Sequence, residues 1–161
     1  MRDGVGMDGL RLRKADKNDC ELLFYWRNDV ECRKGSFHKD AVTWREHEEW
    51  FENCLESDHI FIFILIQDDE AIGQIRIEVY EARGKISYSI DKNHRGKGFG
   101  KLILKMVEME MWKRKCLKLY AEVLRDNRIS QQIFRKLGYI EYENETKFYY
   151  EKQINLSSYK M

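Results

Sequence analysis

Apolar residues alternate with polar ones in some stretches of the chain and recur every three to four residues in others. These two periods lay out its elements. Residues 10–15, LRLRKA, alternate as a short strand does. Residues 18–29 carry Leu22, Leu23 and Trp26 on one side, which predicts a helix that Asn18 or Asp19 can cap. A second helix is predicted over 43–55, with Trp44, Glu48, Phe51 and Leu55 at three-to-four spacing behind a Thr43 cap. HIFIFILIQ (59–67) is apolar on both faces, as a central strand is. In 71–82, Ile75, Ile77 and Val79 alternate with Arg76, Glu78 and Tyr80; in 85–91, Ile86, Tyr88 and Ile90 share one face. The turns DDE and RG join these three into an antiparallel meander.

The C-terminal half adds a helix over 101–115 with Leu102, Met106 and Met109 on one stripe, and a strand over 116–124. A helix over 126–138, closed by Gly138, precedes a terminal strand pair at 139–143 and 147–154. The pattern is α/β: a mixed, mostly antiparallel sheet with helices on both faces. No linker, repeat or low-complexity tract divides it, and 161 residues suit a single domain over 1–161, with residues 1–8 expected to be loose.

Composition narrows the function classes. Apolar residues make up 43% and charged residues 35%, while the net charge is only +1. No global field therefore advertises nucleic acid or membrane, and any anion site must be local. IFIFILI (60–66) is too short to span a bilayer, and the N-terminal stretch has no signal-like apolar core, so a cytoplasmic protein is expected. Cys20, Cys32, Cys54 and Cys116 form no CxxC pair and the four histidines no ligand spacing, which predicts reduced thiols and no metal.

The densest chemical signal is HRGKGFGKLILK, beginning at His94: three glycines and several cations just ahead of a helix. Unpaired N–H groups and the helix dipole make such a start an anion cradle, and glycines let the backbone approach closely. A P-loop is excluded, since Gly96 and Gly100 enclose three residues rather than four and Leu102 follows Lys101 where a hydroxyl must hold magnesium. A dinucleotide fingerprint is excluded by the G-x-G-x-G spacing and the antiparallel strands before it.

Arg95, Gly98 and Gly100 match the R/Q-x-x-G-x-G/A signature of GNAT N-acetyltransferases, and the chain resembles that family further along. Asn127, Ser130, Phe134, Leu137, Gly138 and Tyr139 match its strand, Asn-x-x-Ser helix start and Leu-Gly-Tyr ending, and the likeness covers about residues 60–145. The resemblance implies the GNAT acyltransferase fold, with the fourth and fifth strands splayed around the pantetheine arm of acetyl-CoA. It implies that Arg95, Gly96, Lys97, Gly98, Phe99, Gly100 and Lys101 hold the pyrophosphate, that Asn127 and Ser130 stand at the slot, and that N–H groups near Ile90 face the thioester carbonyl. Acetyl-CoA would then be the co-substrate and an amine would attack it directly, without metal or covalent enzyme intermediate. Asn127 reads equally as a simple helix cap. Many family members carry a tyrosine where this chain has Phe134, and phenylalanine has no proton to give the departing thiolate; it packs beside the sulfur instead.

The acceptor side is read from the N-terminal third. Trp26, Arg27, Asn28, Arg33, Ser36, His47, Trp50 and Phe51 resemble nucleotide-linked amino-sugar N-acetyltransferases of pseudaminic-acid-type pathways. The shorter WRND stretch also resembles ribosomal-protein N-terminal acetyltransferases. A UDP-amino sugar would place its diphosphate against Arg33 and His47 and its base on Phe37, Trp50 or Phe51. The alternatives are a protein N-terminus as acceptor, or a non-catalytic CoA-binding module. Glu122, Tyr88, Glu78 and His47 are candidate bases. Glu122 leads because it points toward the splay, where burial is expected to raise its pKa, with Tyr88 orienting the acceptor; it also reads as one half of a cross-strand ion pair with Arg76 or Lys118. The terminal strand 147–154 is expected at an edge, where it could pair subunits or close a monomer, so both monomer and homodimer stay open.

Overall fold

A computed structural model describes residues 8–155. The loose N-terminus expected over residues 1–8 lies, apart from Asp8, outside the described residues. Seven strands form one sheet: β1 (Leu10–Lys14), β2 (Ile60–Gln67), β3 (Glu70–Tyr80), β4 (Arg83–Ile90), β5 (Lys118–Leu124), β6 (Ile140–Glu143) and β7 (Lys147–Gln153), in the spatial order β1-β2-β3-β4-β5-β7-β6. Every pairing is antiparallel except β4 with β5. The helices are α1 (Cys20–Arg27), α2 (Val30–Lys34), α3 (Trp44–Glu56), α4 (Phe99–Lys113) and α5 (Arg128–Lys136).

Two cores follow from the alternation of β2. Ile62, Ile64 and Ile66 face α1 and α3 and pack with Leu23, Trp26 and Phe51. Phe63 and Leu65 face the other way, joining Ile75 and Ile77 of β3 and Ile103, Leu104 and Val107 of α4. Each such fully buried aliphatic side chain contributes about 1.5–3 kcal/mol. A strand apolar on both faces is thus sandwiched between helix layers, as its composition predicts.

Several expectations need correction. The buried stripe of α4 is Ile103, Leu104, Val107 and Met111, one step round from Leu102, Met106 and Met109. On α3 the buried residues are His47, Phe51 and Cys54, whereas Trp44 and Leu55 stay exposed; the Thr43 cap is present, with Glu46 completing a capping box. Asp16, not Asn18 or Asp19, provides the side-chain cap ahead of α1. The Asp19 carboxylate instead takes both terminal nitrogens of Arg13, each at 2.7 Å. Helix α2 was not foreseen: Asp29 caps it by accepting the Cys32 N–H, but five residues carry too little periodicity to see. Strand β7 lies inside the sheet between β5 and β6, so β6 and not the 147–154 strand forms that edge.

Candidate active site

The parallel pairing of β4 with β5 covers only Arg83–Lys118, Gly84–Leu119 and Lys85–Tyr120. Beyond it, β4 continues on β3 to Ile90 and β5 on β7 to Leu124, so a wedge opens between the two strands. A cavity of about 790 Å³ occupies the wedge. Ile86, Tyr88, Ala121 and Phe134 line it on the α4–α5 side, and Gln74, Arg76, Glu122 and Trp50 on the α1–α3 side. The cavity therefore passes through the sheet. Two reactants can meet in it from opposite faces.

The loop before α4 lies outside the cavity lining. Gly98, the residue ahead of the helix, has φ +89°, and Gly96 has φ +75°. Both are left-handed values that glycine adopts without strain. Nothing lies within 4 Å of where a Cβ would stand on either. The Leu102 N–H already bonds the Gly98 carbonyl at 3.3 Å, leaving the N–H groups of Phe99, Gly100 and Lys101 ahead of the ladder. Lys97 and Lys101 are exposed beside them, while the Phe99 ring is buried against the core. Open glycines, convergent N–H groups and flanking ammonium groups fit a pyrophosphate. Gly100 serves packing: a Cβ there would stand 3.0 Å from Ile133 Cδ1 and 3.5 Å from Tyr88 Cε2.

Arg95 is turned inward. Its Nε–H donates to the Ile90 carbonyl at 3.0 Å, and Nη2 holds Asp29 Oδ2 at 2.7 Å. It ties the end of β4 to the start of α2, and its charge already has a carboxylate partner. At the slot mouth, Asn127 caps α5, its Oδ1 accepting the Ser130 N–H at 3.4 Å, and also lines the cavity. Cap and ligand contact are thus compatible. A Cβ on Gly35 would come within 3.1 Å of Asn127 Nδ2, so the glycine lets the loop after α2 close on the cap. The Tyr88 and Ser130 hydroxyls share a hydrogen bond of 2.8 Å. Burial pushes the Tyr88 phenol above its ordinary pKa, against the opposing effect of that bond. Phe134 is buried edge-on to Tyr88, with ring centroids 6.2 Å apart, and stacks on Tyr150.

Glu122 faces the cavity, but its electrostatics reverse the expectation. Burial alone would raise its pKa; the Lys147 hydrogen bond, the Lys85 and Lys147 charges and the Tyr149 hydroxyl outweigh it and hold the carboxyl below the ordinary glutamate range. Lys147 Nζ lies 3.0 Å from Glu122 and Lys85 Nζ 3.7 Å, so the ion-pair partners are these lysines rather than Arg76 or Lys118. Glu78 also lines the cavity.

The acceptor residues divide. Trp26, Arg27, Ser36, His47 and Trp50 line the cavity. His47 is buried and donates Nε2–H to the Cys20 carbonyl at 2.8 Å; burial first, and the Arg27 charge as well, push its pKa down, so at neutral pH it brings no cation to a diphosphate. Phe51 is 1% exposed in the α1–α3 core and offers no face to a base. Arg33 is outside the cavity wall, donating to the Asn28 and Lys39 carbonyls and so stitching the loop after α2. The structure instead brings Arg76 to the wall, with its guanidinium 5.2 Å from the Trp50 ring centre. Its alternation with Ile75 and Ile77 was the available signal.

A sequence model described as an acetyltransferase (GNAT) domain matches residues 9–140. The chain belongs to the GNAT acetyltransferase family. It is an acetyl-CoA-dependent N-acetyltransferase with the GNAT fold, its parallel β4–β5 pair flanked by helices. No curated protein matches it by sequence. Among solved structures it is similar to spermidine N-acetyltransferase from Vibrio cholerae in complex with CoA and spermine, at TM-score 0.84 and 16% identity, covering 94% of this chain and 98% of that one. It is also similar to a ribosomal-protein-alanine N-acetyltransferase from Brucella melitensis, at TM-score 0.75 and 18% identity over 89% and 99% of the two chains. A domain from Methanocaldococcus jannaschii scores 0.78 at 22% identity over 89% and 97%. At such identities the likeness speaks to fold. Among the described residues no helix is long and apolar enough to cross a membrane, and no group of metal-ligating side chains is present.

Proposed function

We propose that this GNAT enzyme moves the acetyl group of acetyl-CoA to the primary amine of a nucleotide-linked amino sugar held on the α1–α3 side of the sheet. The observation that carries this reading is where the resemblance to such transferases falls. Trp26, Arg27, Ser36, His47 and Trp50, five of the residues behind it, converge on one cavity wall from α1, the loop after α2 and α3. The volume of about 790 Å³ is ample for a sugar and its linkage together with an acetylated arm.

In this reading the loop from Gly96 to Lys101 holds the pyrophosphate and the wedge beside Tyr88 and Ala121 takes the pantetheine. Asn127 and Ser130 border the arm, and the N–H of Ile90 stabilises the carbonyl oxygen as it gains charge. The amine attacks the thioester carbon as the C–N bond forms and the C–S bond breaks. The proton it sheds ends on the departing CoA sulfur, so no outside base is consumed. Glu122, ionised and anchored by two lysines, accepts a hydrogen bond from the amine and relays its proton; Tyr88 and Ser130 border the sulfur side. Phe134 supplies shape only.

The test is steady-state acetylation with UDP-linked amino sugars, free amino sugars, polyamines and ribosomal-protein N-terminal peptides offered in parallel. The UDP-amino sugars are expected to give the highest kcat/KM. Preferential turnover of the peptides or polyamines overturns the amino-sugar assignment while leaving the acetyltransferase intact.

A further inference from the structure

We infer that Arg76 is the centre of an oxyanion-binding subsite on the α1–α3 side of the cavity, and that it holds the diphosphate of the acceptor. The subsite rests on the acceptor reading above, but it stands on separate observations. Arg76 lies on the polar face of β3, directly across from Ser87 of β4. Its Nη2 reaches the Ser87 hydroxyl only at 3.4 Å, and its plane is covered by Trp50. Among the described residues, its Nε is the one buried side-chain nitrogen or oxygen with no hydrogen-bond partner, and Arg76 makes no ion pair. A guanidinium half removed from water without a carboxylate is costly for the fold, and buried charges are ordinarily paired. The carboxylates on the cavity wall do not fill the role. Glu46 is engaged in the α3 capping box, Glu122 is held by Lys147 and Lys85, and Glu78 sits two residues further along the strand without an ion pair to Arg76.

What is left is a guanidinium on the cavity wall without a carboxylate, backed by an indole and a hydroxyl; its Nε is buried, so the terminal nitrogens are the donors left for a ligand. An oxyanion would be taken by those terminal N–H groups. Arg27 adds a second cationic residue to the cavity lining, again without an ion pair among the described residues. Two cations along one wall suit a diphosphate better than a single carboxylate. The amine of such an acceptor would point along the wall toward Glu122 and the wedge.

The experiment uses the intact protein saturated with coenzyme A, so that the α4 loop is already occupied. Binding of UDP, of inorganic pyrophosphate and of succinate is measured by calorimetry in the wild type, in Arg76→Met and in Arg76→Lys. UDP and pyrophosphate are expected to bind the wild type and to weaken at least about tenfold in Arg76→Met, with partial recovery in Arg76→Lys. Coenzyme A affinity should be unchanged in both variants. Arg76→Met should also raise the melting temperature of the free protein, since methionine removes an unpaired charge and keeps the contact with Trp50. The melting curves show whether either variant fails to fold. Binding of UDP and pyrophosphate undiminished in Arg76→Met overturns the subsite but leaves the nucleotide acceptor standing. Binding of succinate alone, lost in Arg76→Met, keeps an oxyanion site at Arg76 and overturns the diphosphate and the nucleotide acceptor together. No anion bound by the wild type overturns the subsite.

Discussion

At the scale of single residues, Glu122 shows where sequence patterning stops. Alternation along β5 places it toward the wedge, and the structure agrees. Its pKa depends on what stands opposite, and Lys147 comes from a strand whose register the sequence does not display. A carboxyl held below the usual range is ionised throughout neutral pH, so it cannot titrate as the base that limits catalysis there. The acid limb of the kcat/KM profile should then belong to the amine itself. Glu122→Gln is expected to lower kcat by roughly tenfold or more through lost positioning and relay, while the midpoint of that limb stays where it was. Disappearance of the limb in the variant would show instead that Glu122 titrates near neutrality. The acceptor residues teach the same lesson. Phe51, His47 and Arg33 have suitable chemistry, yet one faces the core, one is neutral and tied to a carbonyl, and one stitches a loop.

At the scale of elements, far more was legible. The meander β2–β3–β4, the cap of α3 and the order of α4, β5 and α5 are all written as periodicity and punctuation, which local sequence controls. Helix α2 escaped because one turn has no period, and the stripe of α4 was displaced because its methionines and leucines are apolar nearly all round. The strongest local demand is at Gly98. Its left-handed φ of +89° precedes α4 with open space where a side chain would stand. Gly98→Ala should cost about 1–2 kcal/mol in the folded state from the backbone alone. Its methyl group would also occupy the anion's approach, so acetyl-CoA should bind about tenfold more weakly, a change of about 1.4 kcal/mol. Chemical denaturation and calorimetry on the same preparation separate the two effects. Unchanged acetyl-CoA affinity in a folded Gly98→Ala protein would move the pyrophosphate away from this loop.

Across the whole molecule, side chains from distant segments tie the α1–α3 wall of the cavity to the glycine loop before α4, and no local pattern could announce them. Arg95 holds Asp29 at the start of α2, and the Trp26 indole of α1 donates to Asp91 at 2.9 Å, just before the loop. Asp91 also bonds His94, whose ring reaches Glu70 on β3. The two layers are thus joined through carboxylates whose stabilising partners lie up to sixty-six positions away. Burial would raise the pKa values of Asp29 and Asp91, but Arg95 with backbone N–H groups for the first, and Trp26, a backbone N–H and His94 for the second, hold them below the ordinary aspartate range. A carboxyl whose folded pKa is depressed contributes stability that is complete above its unfolded value, about 3.9. That contribution drains away as pH falls through the lower folded value. Melting temperature should therefore be insensitive to these groups from pH 7 down to about 5 and fall steeply below about 4. Asp29→Asn mimics the neutral form at every pH, so it should melt lower than the wild type at pH 7 and converge on it in acid. The same variant frees Arg95 from its partner and loosens α2 against the loop, so any strengthening of acceptor binding by acetyl-CoA that is expected in the wild type should be lost in the variant. A pH 7 melting temperature equal to the wild type's, with the ligand coupling preserved, would show that the Arg95–Asp29 bridge joins the layers in geometry but not in energy.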